Sequence, residues 1–154
     1  MAGEQDKPKL TPEAGQQALR DHAVRVAQEA RERYGGVVDA AAMQRMLQDE
    51  LVVRYPTTLC FDAEALEPGE FAFPQPLGQH PSDGFRLCVH PYFEQRPDAL
   101  PLLIAYHLVR INYGEIAGSR EAESFGAALL GLGVEEYYQA VCALADELYA
   151  HEGG

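Results

Sequence analysis

The sequence predicts an α+β domain, with about five helices packed on a small sheet of three strands, antiparallel or mixed. Three observations lead there. Apolar residues recur at helical spacing in the first and last thirds of the chain. The middle third holds short runs of β-branched and aromatic residues closed by proline and glycine. At 154 residues, with no internal repeat and no linker long enough to split it, the chain is sized for one domain with its own core.

Residues 1–10 are polar and read as a flexible tail, leaving 11–150 as the domain. Thr11-Pro12-Glu13 is a helix start, with a hydroxyl cap, proline in the first turn and an acid at the positive end. Ala18, Leu19, Ala23, Val26, Ala27, Ala30 and Tyr34 carry that helix to Gly35-Gly36. Asp39 caps a second helix through Met43, Met46 and Leu47. Leu51–Tyr55 predicts a strand closed by Pro56. Glu70–Phe73 predicts another, placed at a sheet edge by Pro74 and Pro76. Phe85–His90 predicts a third, entered through the turn Ser82-Asp83-Gly84. Asp98 is placed to cap a helix from Leu100 to Tyr113 that Gly114 stops. Ser119 starts the next, and Gly131 and Gly133 separate it from a last helix, Val134 to Tyr149. That helix carries Tyr138, Val141, Cys142, Ala145, Leu148 and Tyr149 at core spacing.

Composition narrows the function classes. A net charge of -12 repels phosphate backbones, so direct nucleic-acid binding is not expected, and a basic partner is. No run approaches the roughly 18 apolar residues of a membrane span, and the first residues lack the apolar centre of a signal peptide. Cys60, Cys88 and Cys142 are widely spaced and odd in number, which argues against a disulfide framework and for a reduced, cytoplasmic setting. There is no phosphate loop, nucleophile elbow or calcium loop. Cys88 reads as a small core residue, and the Tyr137-Tyr138 pair and Tyr149 as packing and surface aromatics.

The chemistry concentrates in Leu100–Gly114, an apolar helix with Tyr106, His107 and Arg110 set into it, and in the helix after it, which opens with Glu121 and Glu123. A His-Glu-x-x-His helix holds zinc because residues four apart share one helix face, while the glutamate between them activates the bound water. The window Ala105-Tyr106-His107-Leu108-Val109-Arg110-Ile111-Asn112-Tyr113-Gly114 resembles the Ala-His-Glu-Leu-Gly-His-x-x-x-Gly helix of the ImmA/IrrE family of metallopeptidases. Glu121-Ala122-Glu123-Ser124-Phe125-Gly126-Ala127-Ala128-Leu129-Leu130 is similar to that family's following Glu-Ala-Asn-x-Phe-Ala-x-x-Leu-Leu pattern. The order of elements upstream fits as well, including the Gln95-Arg96 loop before the helix, so the likeness runs over residues 15 to 135. It implies a zincin-like fold.

Carried over residue by residue, Tyr106 stands in place of the first histidine ligand, His107 in place of the catalytic glutamate and Arg110 in place of the second histidine. Only Glu121 keeps the type expected of a ligand. An arginine offers no lone pair to a metal. The resemblance therefore implies an inactivated scaffold with no metal and no cofactor, in which Arg110 pairs with Glu121 where the ion sat. Each residue also has a simpler reading: Tyr106 as a core aromatic, His107 as a packing residue rather than a base, Arg110 as a structural ion pair, Glu121 and Glu123 as acids favoured at a helix start. His80, His90 and His107 could gather with Glu121 around an ion, but no spacing supports it. The expected function is a non-enzymatic regulatory domain that binds a protein or peptide in the cleft between the Leu100 helix and the strand at Phe85. The alternative is a divergent hydrolase, with or without metal, using His107 with Glu121 or Glu123.

Overall fold

The fold is seen in a computed structural model that describes residues 11–153; the expected tail at 1–10 lies outside them. Eight elements follow in order: α1 (Pro12–Arg33), α2 (Ala40–Met46), β1 (Thr57–Phe61), β2 (Ala72–Pro76), β3 (Phe85–Val89), α3 (Leu100–Tyr113), α4 (Ser119–Leu130) and α5 (Val134–His151). This is the α+β class expected, five helices on three strands. The sheet is mixed, in the order β1-β3-β2, with β1 parallel and β2 antiparallel to the central β3. No helix among the described residues is long and apolar enough to cross a membrane.

Local signals set most helix ends. The Thr11 hydroxyl accepts from Ala14 N at 3.1 Å and the Asp39 carboxylate from Ala42 N at 2.9 Å. Gly114, at φ 71°, ends α3 in a backbone conformation that side chains disfavour. Helix α1 buries Ala23, Ala27 and Ala30, and these small residues let it lie against α4, its main partner. Helix α3 buries nine of its fourteen residues, which is why it reads as apolar almost all round. It packs on α4 and on β2, and so joins the helical layer to the sheet.

Four expectations are corrected. The strand expected at Leu51–Tyr55 does not form; the segment is a turn, and β1 starts beyond Pro56. Its backbone is satisfied by the Asp49 carbonyl, which accepts from Val52 N and Val53 N, and by side chains, instead of by a ladder. Asp49 accepts from Leu51 N at 2.9 Å, and buried Asn112 on α3 accepts from Arg54 N at 2.9 Å while donating to Val52 O at 2.8 Å. Asp98 does not cap α3: the N-cap is Ala99, and the Asp98 carboxylate is held by the Arg96 guanidinium at 3.0 Å. On α5 the buried face runs through Tyr137, Val141, Leu144 and Leu148, whereas Tyr138 and Tyr149 are exposed. Tyr137 is drawn inward because Gly126 on α4 leaves room for its ring, and its hydroxyl donates to Leu102 O at 2.7 Å.

The fourth correction concerns β2, which lies further along the chain than Glu70–Phe73 and contains both prolines. Bonds at either end of its ladder, His90 N to Phe71 O and Leu77 N to Gly84 O, fix the alternation. Phe73 and Gln75 therefore turn their backbone groups toward β3, and Ala72, Pro74 and Pro76 turn theirs outward. Along this free edge only Ala72 has an N–H to offer.

Candidate functional site

Helix α3, strand β2 and the start of α4 enclose a cleft of about 210 Å³, lined by Glu70, Ala72, Phe73, Pro74, Tyr106, His107, Val109, Arg110 and residues Ala117 to Ser119 and Ala122. A second groove of about 450 Å³ adjoins it across Phe73, Pro74 and Arg110, walled by Tyr55, Phe85, Tyr113 and Arg54. The first cavity is below the roughly 300–1,000 Å³ of drug-sized ligand sites, so it suits a side chain or a chain end.

Tyr106, His107 and Arg110 meet in this cleft because they lie within little more than one turn of α3. His107 sits edge-on to Phe71 and to Tyr106, with ring centroids 5.5 Å apart in both pairs. Its Nε2 is sealed from solvent and has no hydrogen-bond partner among the described residues. Burial, reinforced by the Arg110 charge one turn away, pulls its pKa down to about 4, so the imidazole is neutral at pH 7. Burial also raises the Tyr106 phenol above its ordinary value, with Glu123 and Cys142 adding to the effect and Arg110 opposing it. Tyr106 is therefore a hydrogen-bonding phenol at neutral pH. Arg110 is exposed at the rim and forms no ion pair among the described residues.

Glu121 and Glu123 do not line the cleft. Glu121, buried at the start of α4, gives one oxygen to Gly118 N at 2.8 Å and the other to the Arg20 guanidinium of α1 at 3.2 Å. The expected Arg110–Glu121 pair is thus absent. Close packing of α1 on α4 delivers a different arginine, and the helix-capping geometry turns the carboxylate toward it. Glu123 is half-buried; burial raises its carboxyl pKa, Glu135 adds to this, and Arg120 works against it.

The zinc that a His-Glu-x-x-His helix holds does not fit these residues. One of the four corresponding side chains is a guanidinium, and the one carboxylate is committed elsewhere. His80 and His90 are not drawn in: His80 belongs to the turn Pro81–Asp83, and His90 accepts from Tyr92 N and lies 3.4 Å from Glu152. Among the described residues no three His, Cys, Asp or Glu side chains are grouped to hold an ion. Sequence reasoning missed the opposite wall, Glu70, Phe73, Pro74 and Ser119. Phe73 and Pro74 were legible only as part of an edge strand, and nothing local places that strand beside α3.

Comparison with known proteins gives no relative: no family model matches the chain, no curated protein matches it, and no solved structure matches it.

Proposed function

We propose that this chain is a non-enzymatic regulatory domain, a metallopeptidase-like scaffold without its ligands, that binds a protein or peptide segment in the cleft between α3, β2 and the start of α4. The supporting observation is Arg110, a guanidinium with no ion-pair partner among the described residues, at the rim of a cleft whose other polar groups on α3 are a protonated phenol and a neutral, half-buried imidazole. These groups bind and orient; none is poised to activate water. The hydrolase alternative needs Glu121 or Glu123 beside His107; Glu121 is engaged with Arg20, and Glu123 does not line the cleft.

The free edge of β2 narrows the mode of binding. Strand addition takes donors and acceptors in alternation from the receiving edge, and two of the three outward positions here are prolines. A bound segment is therefore held by side chains and by its own donors to the Ala72 and Pro74 carbonyls. Overall charge favours a basic partner at long range; within the cleft the charges of Arg110 and Arg54 balance those of Glu70 and Glu115, and a carboxylate on the bound segment would answer Arg110, which has no ion pair among the described residues.

The test is selection of peptides from a displayed random library on the purified full chain, followed by calorimetric titration of the enriched sequences. Acidic peptides are expected, and Arg110→Glu is expected to weaken them at least about tenfold, since a charge-assisted bond contributes roughly 1.5–3 kcal/mol. Enriched peptides that bind Arg110→Glu and Tyr106→Ala equally well would remove the cleft from the function. Peptide cleavage by the wild type that is lost in His107→Ala would show an enzyme instead.

A further inference from the structure

Cys60 on β1 and Cys88 on β3 are register partners in the parallel pair. Adjacent strands in register present side chains to the same side of a sheet. Leu87 and Val89 point into the core, so Cys60 and Cys88 share the other face with Thr58, Gln75 and Arg86. Their sulfurs are 3.4 Å apart, and all three cysteines of the chain are free thiols. Cys60 is half-buried and reachable. Cys88 is fully buried on the central strand, with its sulfur 3.8 Å from the Gln75 amide oxygen, which the Arg86 guanidinium holds at 2.6 Å.

We infer that Cys60 and Cys88 form a reversible intramolecular dithiol–disulfide site, in which Cys60 is the entry thiol and Cys88 the resolving thiol, oxidised by low-molecular-weight disulfides. Strands spaced about 4.8 Å apart lie inside the roughly 4.4–6.8 Å Cα separation that a disulfide spans. The sulfurs have to close from 3.4 Å to about 2.05 Å for the bond to form.

The exchange balances in two steps. The Cys60 thiolate attacks one sulfur of the small disulfide; that S–S bond breaks, a mixed disulfide forms on Cys60, and one small thiol leaves with the proton Cys60 gave up. The Cys88 sulfur then attacks Cys60 Sγ and displaces the second small thiol, which takes the Cys88 proton. Two protein thiols are oxidised by two electrons, and one disulfide is reduced to two thiols. The Cys88 environment favours this resolution, because its burial keeps external disulfides away while leaving Cys60 in contact.

Burial, the hydrogen bond to Cys88 and the Cys88 charge push the Cys60 pKa up to about 11; Arg86 lowers it, and Asp62 adds to the rise. The first step is therefore slow at neutral pH and quickens about tenfold per pH unit on the alkaline side.

The experiment equilibrates the full-length reduced chain with excess glutathione disulfide, then alkylates it under denaturing conditions for intact-mass and peptide analysis. Free thiols are expected to fall from three to one, with a mass loss of about 2 Da and a Cys60–Cys88 linked peptide. Cys142→Ser should keep this product and Cys60→Ser should abolish it. A glutathione adduct that persists on Cys60 while Cys88 stays alkylatable overturns the inference, as do three intact thiols or a 2 Da loss that survives Cys60→Ser.

Discussion

Replacing Asn112 with alanine tests what holds the turn at 51–55 against the helix of the candidate site. Asn112 is 3% exposed. Its Oδ1 accepts from Arg54 N at 2.9 Å, its Nδ2 donates to Val52 O at 2.8 Å, and its backbone carbonyl accepts from the Arg54 guanidinium at 3.2 Å. Alanine keeps the last bond and loses the first two. The Val52 carbonyl belongs to a residue that is 1% exposed, so it is left without a donor, at a cost of about 1–3 kcal/mol. Arg54 is exposed and its N–H can turn to water, so that loss is nearer 0.5–1.5 kcal/mol. The sum is about 2–4 kcal/mol, or a fall in Tm of roughly 5–15 °C for a chain of this size. Urea denaturation should show a lower midpoint with an unchanged slope. Asn112→Asp sharpens the test: it keeps an acceptor for Arg54 N but turns an oxygen toward the Val52 carbonyl, and a loss as large as that of alanine is expected despite its matching shape. A loss below about 1 kcal/mol for alanine, or a neutral Asp variant, would falsify the idea that these hydrogen bonds fix the turn.

Two further outcomes are expected. His107 is neutral in the fold with its pKa near 4, against 6.5 ordinarily, so the unfolded chain binds its proton more readily. Its contribution is complete above pH 6.5 and is lost as pH falls toward 4; at ~1.4 kcal/mol per pH unit it amounts to at most about 3 kcal/mol. His107→Gln should flatten the stability profile in that window, and a His107 ring resonance titrating near 6.5 in NMR would refute the burial. Gly126→Ala places a methyl group in the space of the Tyr137 ring, which is fully buried and tethered to Leu102 O. Overpacking of about 1–3 kcal/mol should outweigh the ~1 kcal/mol that alanine gains over glycine in a helix; a raised urea midpoint would show that the ring gives way.

Tyr106, His107 and Arg110 lie within little more than one turn of one helix, so the sequence alone brings them close, and all three line one cleft. The sequence could not tell which way Glu121 faces. Its capping bond to Gly118 is local, but the charge it meets comes from Arg20, 101 residues earlier. The identity of the cleft's second wall was equally hidden, because the alternation of β2 is counted from its bonds to β3 and not from its own composition.

The sequence by itself determined the helices, most of their caps and stops, and the presence, though not the bounds, of a proline-marked edge strand. Those features are written by residues one to four positions apart, such as Thr11 with Ala14, or by a glycine that tolerates a left-handed turn, as at Gly114. Only the tertiary structure decided that Leu51–Tyr55 is a turn and that Tyr137 rather than Tyr138 is buried. The turn is held by a side chain 58 to 60 residues away, and the burial depends on a gap opposite Gly126 on another helix. Local propensity carries no record of such partners, so a run with strand-like composition folds otherwise once a distant amide satisfies its backbone.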